Sequence, residues 1–99
     1  MSKLFGLVDD LRAGKSVEYP HTGGYLAPKV RNGETVKVFP ATLSDLNPED
    51  IVLCRIDGKI ILGMVKDFRS DRAMISDVAG KKMGWATNAH IYGKAKVLL

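Results

Sequence analysis

The chain has a single cysteine, Cys54, in the apolar run Ile51–Cys54. One thiol forms no intramolecular disulfide and builds no cysteine-based metal site, so Cys54 reads as a small buried hydrophobe. No run of about 18 apolar residues is present, which excludes a membrane-spanning helix. Aromatics are few, one Trp, three Tyr and three Phe, so the core must rest on Val, Ile, Leu and Met. No polybasic arm exists either. Lys81-Lys82 is the one adjacent basic pair, and the other charges are dispersed. The starting segment MSKLFGLVDDLRAG carries Asp9 and Asp10 within its apolar stretch, unlike a signal peptide, which makes the cytosol the default compartment. No elbow of the G-x-S-x-G kind, H-E-x-x-H helix or phosphate-binding glycine loop occurs. Neither a metal nor a cofactor is expected.

What is there suits one small globular domain. Ninety-nine residues, 45% hydrophobic and 26% charged, support one core and not two. The net charge of +4 and a sequence pI of about 9.3 fit a Lys-rich surface, and also attraction to an anionic partner. Residues 2–13 predict a short amphipathic helix. Ser2 stands at its cap, Leu4, Leu7, Val8 and Leu11 form one stripe, and Gly14 follows as the C-terminal cap. That stripe must bury against the body of the domain or against a second copy, and the latter would make a homodimer. Its acidic residues argue against a membrane surface.

Everything after Gly14 predicts β structure, so residues 1–14 read as the helix and 15–99 as a β domain. Tyr19 to Gly24 reads as a breaker-rich loop, and Arg31-Asn32-Gly33 as a turn before a strand at Glu34–Phe39. After Pro40, Leu43–Asp50 reads as a loop. Ile51–Ile56 and Lys59–Phe68 are expected to pair across an Asp57-Gly58 hairpin turn. Ser70-Asp71 turns the chain into a strand at Arg72–Ser76. Asp77–Asn88 reads as irregular, and Ile91–Leu98 as a last strand broken by Gly93. Several short strands with regular turn signals predict a small, mainly β, barrel-like or sandwiched antiparallel sheet.

Three segments carry a resemblance. TGGYLAPKVRNGETVKV, residues 22–38, resembles the nucleophile segment of the signal-peptidase and SOS-repressor Ser–Lys peptidases, roughly G-x-S-M-x-P-x-x-x-x-G-D-x-V-x-V. Gly23, Pro28, Gly33, Val36 and Val38 match it. Leu26 stands for Met and Glu34 for Asp, and Tyr25 occupies the nucleophile position. LNPEDIVLCRIDGKIILGMVKDF, residues 46–68, is similar to the segment bearing the lysine base; Asp50, Val52 and Gly58 match, and Gly63 stands where the lysine falls. ISDVAGKKMGWATNAHIYGKAKVLL, residues 75–99, is similar to the closing segment, with Asp77, Gly84, Gly93 and Lys94 matching and a G-W…I-Y-G phrase like that of small phage-encoded members.

The resemblance implies a peptidase-type fold without its dyad. A Ser–Lys mechanism needs a hydroxyl nucleophile and a neutral lysine within reach. Tyr25 is a bulky phenol, Gly63 supplies no base, and period-two alternation puts Lys66 on the opposite face from Gly63. His21, Thr22, Ser44, Ser70, Ser76 and His90 show no other catalytic pattern; His21 reads as a loop residue, and His90 as a half-buried polar residue before a strand. Tyr25 and Gly63 are expected to face one another across the former cleft.

Three functions follow as expectations. The first is a catalytically inactive module that binds a peptide or host protein through the former substrate cleft, acting in the host cytoplasm if phage-encoded. The second is capture of an anionic small molecule, a nucleotide signal or nucleic acid in a basic aromatic pocket. Gly23, Gly24, Tyr25, Lys29, Arg31, Lys81, Lys82 and Trp85 would form that pocket, and His21, Gly63 and Asp77 join them as candidates for contact with a ligand or partner under either reading. Trp85 itself reads either as a core anchor or as a recognition residue. The third is an active serine peptidase using residues outside this alignment.

Overall fold

Alternation of apolar and polar residues drives most of this chain into strands. The structure, a computed structural model, describes residues 3–98, with side chains from residue 6 onward. A helix α1, Lys3–Arg12, precedes seven strands: β1 Val17–Pro20, β2 Thr35–Pro40, β3 Ile51–Ile56, β4 Lys59–Arg69, β5 Arg72–Ser76, β6 Lys82–Thr87 and β7 Ile91–Val97. Short 3₁₀ turns cover Leu43–Asp45 and Asn88–His90. The strands form one antiparallel sheet in the order β1-β2-β7-β3-β4-β5-β6. The sheet curls into a half-barrel: β6 comes back over β3, and a Cβ on Gly84 would sit 2.6 Å from Ile56 Cγ2. The expected small, mainly β, barrel-like fold with an N-terminal helix is the one observed.

Curling gives the sheet two cores where the chain's length led to the expectation of one, because each face of the sheet packs its own set of apolar residues. On one side Val36, Val38, Leu53, Leu62 and Met64 pack with Leu26, Val30 and the helix residues Val8 and Leu11. On the other, Val52, Cys54, Ile56, Val65, Ala73, Ile75, Ala86 and Ile91 pack together. Successive side chains of a strand point to opposite faces. Strand β3 therefore serves both cores, which is why it reads IVLCRI rather than as an alternating pattern.

The helix ends as its sequence predicts. Gly14 takes φ +87°, its N–H donates to Leu11 O (3.0 Å), and the N–H of Lys15 donates to Asp10 O (2.9 Å), completing a Schellman cap. Ser2 at the expected cap, and the Leu4 side chain, lie outside the described residues. Val8 and Leu11 are buried against this chain's own sheet. Val8 and Leu11 of the apolar stripe are thus covered from within, with Leu7 partly buried beside them, and the helix shares a core with the β domain.

Several boundaries differ from expectation. Val17–Pro20 is a strand, although a loop was expected from Tyr19. Pro20 is tolerated because β1 is an edge strand, where a missing N–H costs no ladder bond. Lys82–Thr87 is a strand within the stretch read as irregular; a register shift between Ile75 and Ser76 hides its pairing with β5. Gly93 does not break β7. It pairs with both Pro40 and Leu53 and lets β7 lie close to β2, since a Cβ there would meet the Phe39 carbonyl and Val38 Cγ1. The Asp57-Gly58 turn is as expected, with both residues at positive φ.

Two glycine substitutions should therefore act in opposite directions. Gly93→Ala should lower stability by about 1–3 kcal/mol by forcing β2 and β7 apart. Gly6→Ala, inside α1 with open space around it, should raise stability by about 0.5–1 kcal/mol. Melting temperatures of the two variants check this, and a Gly93→Ala variant as stable as the parent would refute the close-approach argument.

Candidate functional site

Tyr25 is the first place to look, because the resemblance puts the nucleophile there. It lies in the turn-rich segment between β1 and β2, half-buried against the helix-side core. Its hydroxyl donates to Leu62 O at 2.7 Å, and its carbonyl accepts from Val78 N–H at 2.9 Å. Burial is the main cause that pushes its pKa up to about 12, which keeps the phenol protonated and donating. Tyr25 does reach β4 beside Gly63, but the two do not face each other. Side-chain alternation sends the open side of Gly63 into the other core, where a Cβ would collide with Ile75 Cγ2. The place expected to be vacant is filled by Ile75. The Lys66 ammonium donates to Gly80 O at 2.7 Å, so it is held on a backbone carbonyl rather than on Tyr25.

The histidines sort differently. His21 is buried, its ring edge-on to Tyr25 with centroids 5.1 Å apart, and its Nε2 has no partner. Burial lowers its pKa by more than the Gly23 backbone and the Glu34 carboxylate raise it, so the ring stays neutral. His90 is exposed, not half-buried, because it lies in the last 3₁₀ turn, which links β6 to β7 and has no buried residue. Gly23, at φ +101°, donates to Asn32 Oδ1 (2.9 Å) and lies against the Tyr25 ring; Gly24 is exposed.

Trp85 anchors a second cluster. It sits half-buried in β6, opposite Met74 of β5. Around its ring stand the Arg69 and Arg72 guanidiniums, each 5.6 Å from the centroid, and the Lys82 ammonium at 5.9 Å. Cross-strand pairing explains the convergence. Arg69 is paired with Arg72 across the Ser70-Asp71 turn, and Arg72 with Thr87 on β6. These residues share the face of β4–β6 opposite to Phe68, Ala73 and Ala86, which face the core. Like charges placed directly opposite one another repel. The local countercharges are Asp71, 3.3 Å from Arg72 Nε, and Asp67, opposite Met74. A cleft of about 370 Å³ opens between Trp85 and the Arg69–Arg72 turn.

The residues grouped by sequence thus divide. Lys82 and Trp85 belong to this outer face. Lys29 pairs with Glu49 at 3.8 Å, and the Arg31 N–H donates to Glu34 Oε1 at 2.6 Å within its own turn. Asp77 accepts the Lys81 N–H at 2.8 Å and closes the turn between β5 and β6, leaving Lys81 exposed at its end. The described contacts of the Tyr25 ring and of the Trp85 ring share no residue. Arg69 and Arg72 were missed, although their placement on either side of a two-residue turn was the signal that they are cross-strand neighbours. A further hollow of about 500 Å³ beside α1 has its charged groups committed: Arg12 lies over Tyr92, and Asp45 accepts bonds from Thr42. Among the described residues no group of three or more His, Cys, Asp or Glu is placed to hold a metal.

The Tyr25–His21 pair should mark stability at both ends of the pH scale. Tyr25 titrates higher folded (about 12) than unfolded (10.0), so its contribution is full below pH 10 and lost as pH rises through 12. Cys54, pushed up to about 12 from 9.0 by burial, adds loss of the same sign. His21 titrates lower folded than unfolded, so its contribution is present above pH 6.5 and lost as pH falls. Tyr25→Phe should therefore cost about 0.5–1.5 kcal/mol at neutral pH through the lost hydrogen bond. It should also flatten the decline of melting temperature between pH 10 and 12. Parallel alkaline declines in variant and parent would count against the buried phenol.

Comparison with protein-family models, with curated proteins and with solved structures finds no match to this chain.

Proposed function

We propose that this chain is a non-enzymatic binding domain that takes a nucleotide unit, free or within a single strand, on the outer face of β4–β6. The observation that carries the reading is the convergence of Arg69, Arg72 and Lys82 on the one indole, Trp85. A base stacked on an aromatic face with its phosphate against arginine and lysine is the physics by which sheets hold single strands. Cations crowded across adjacent strands gain when an anion joins them. The net charge of +4 favours the encounter, and a cleft of about 370 Å³ lies within the usual size of small-ligand sites.

The non-enzymatic part rests on Tyr25, whose hydroxyl is given to Leu62 O, and on Lys66, held by Gly80 O. A peptide added as a strand, in the manner of a peptidase-like module, is the second reading. It is favoured by β6 pairing with β5 on one side only, which leaves an edge to extend.

Trp85 is the chain's one tryptophan, so its fluorescence reports this face alone. Single-stranded oligonucleotides should quench it in a saturable way. With a labelled oligonucleotide, Trp85→Ala should weaken binding by about 1–3 kcal/mol, roughly 5- to 150-fold. Arg69→Ala or Arg72→Ala should each reduce the slope of log affinity against log salt by about 0.7. No quenching by any nucleotide or oligonucleotide, with saturable binding of an extended peptide instead, would replace this reading by the second.

A further inference from the structure

The face around Trp85 does not end at its cleft. A second hollow, of about 500 Å³, adjoins it and shares the wall formed by Arg69, Ser70 and Asp71. Its far side is Thr42, Leu43, Ser44 and Asn88, from the two 3₁₀ turns. The chemistry of the two compartments differs. The first is aromatic and cationic. The second has a half-buried apolar surface in Leu43 and a polar rim. The Asn88 carboxamide is oriented by accepting the Leu43 N–H at its Oδ1 (2.8 Å), which leaves its NH₂ group as the donor to anything in the hollow. Among the described residues, the Ser44 hydroxyl has Thr42 Oγ1 as its one partner, at 3.0 Å. An apolar floor with a fixed amide donor and an adaptable hydroxyl suits the flat face and polar edge of a base. Its far side offers no charge for a phosphate; the charged groups of its lining, Arg69 and Asp71, both belong to the shared wall. Arg69 stands in the wall between the compartments, with its guanidinium over Trp85.

Building on the proposed nucleotide face, we infer that the ligand occupies it as two consecutive nucleotides. One base stacks on Trp85, the next lies against Leu43 with its edge toward Asn88 and Ser44, and Arg69 meets the phosphate that joins them. Asp71 is the one carboxylate in the shared wall, and Arg72 partly neutralises it. Its removal should tighten binding of the bridged ligand.

The test uses the full chain and its Trp85 fluorescence, titrated with deoxyadenosine monophosphate, the matching dinucleotide and an eight-residue oligomer. The dinucleotide should bind at least tenfold tighter than the mononucleotide. Ser44→Leu, which fills the hollow from an exposed position, and Asn88→Ala, checked for an unchanged fold by thermal melting, should each erase that advantage. Neither should shift mononucleotide affinity. Asp71→Asn should tighten the dinucleotide by a few-fold. An oligomer that binds as tightly as the dinucleotide or more so places the two-unit site within a strand, and a weaker one makes the free dinucleotide the ligand; both keep the inference. A dinucleotide no tighter than the mononucleotide, or hollow variants that weaken both ligands alike, would overturn the two-unit site while leaving the Trp85 face standing. Absence of quenching by all three would remove the face and the inference together.

Discussion

Burial of β3 on both of its faces is the constraint from which the rest of the architecture follows. Val52, Cys54 and Ile56 serve one core while Leu53 serves the other, so the middle of this strand is shut from water on both sides. The helix covers one side by setting Val8 and Leu11 on the sheet. The other side has no helix to cover it, and the sheet must fold over on itself. That curl is possible only where a side chain is missing: Gly84 lets β6 lie on Ile56, and Gly63 lets Ile75 press against β4. Close packing of this kind leaves no tolerance for an added methyl group.

The same curl exposes a surface. Once β5 and β6 turn their inner residues Ala73, Ile75 and Ala86 toward β3, their outer residues point away from that core, with Arg72 and Thr87 exposed and Met74 and Trp85 half-buried. Alternation then dictates that Arg72, Met74, Trp85 and Thr87 share that outer face, with Arg69 beside them across the hairpin. The indole ringed by cations on this face is the surface proposed for binding: each cation–π contact is weak at an exposed site, about 0.5–1 kcal/mol, and holds the cations only loosely. The mutual repulsion of the cations is relieved by an anion more effectively than by water.

Tyr25 shows how a neighbourhood can be anticipated and an orientation missed. That it lies beside Gly63 on β4 was an implication of the resemblance, and no local pattern around Tyr25 carried it. The orientation was not anticipated. Whether Gly63 opens toward Tyr25 or away from it depends on which face of a two-sided sheet Tyr25 packs against. In a strand apolar on both faces, periodicity carries no information about that. The ring therefore lies on the Leu62 side with its hydroxyl on a backbone carbonyl, and Ile75 takes the space on the other.

The sequence by itself determined the class of fold, the helix with its Gly14 cap, the β3–β4 hairpin and the turn at Ser70-Asp71. Each of these depends on local chemistry: a positive φ, a period, or a two-residue turn. Strand β6 escaped it, because a register shift and Gly84 interrupt the alternation that marks a strand. Only the tertiary structure decided which residues come together in the proposed site. Arg69, Arg72, Lys82 and Trp85 come from three strands, and Thr42, Leu43, Ser44 and Asn88 from two distant turns. Their meeting depends on strand pairing and on the curl of the sheet, long-range packing that no local pattern encodes.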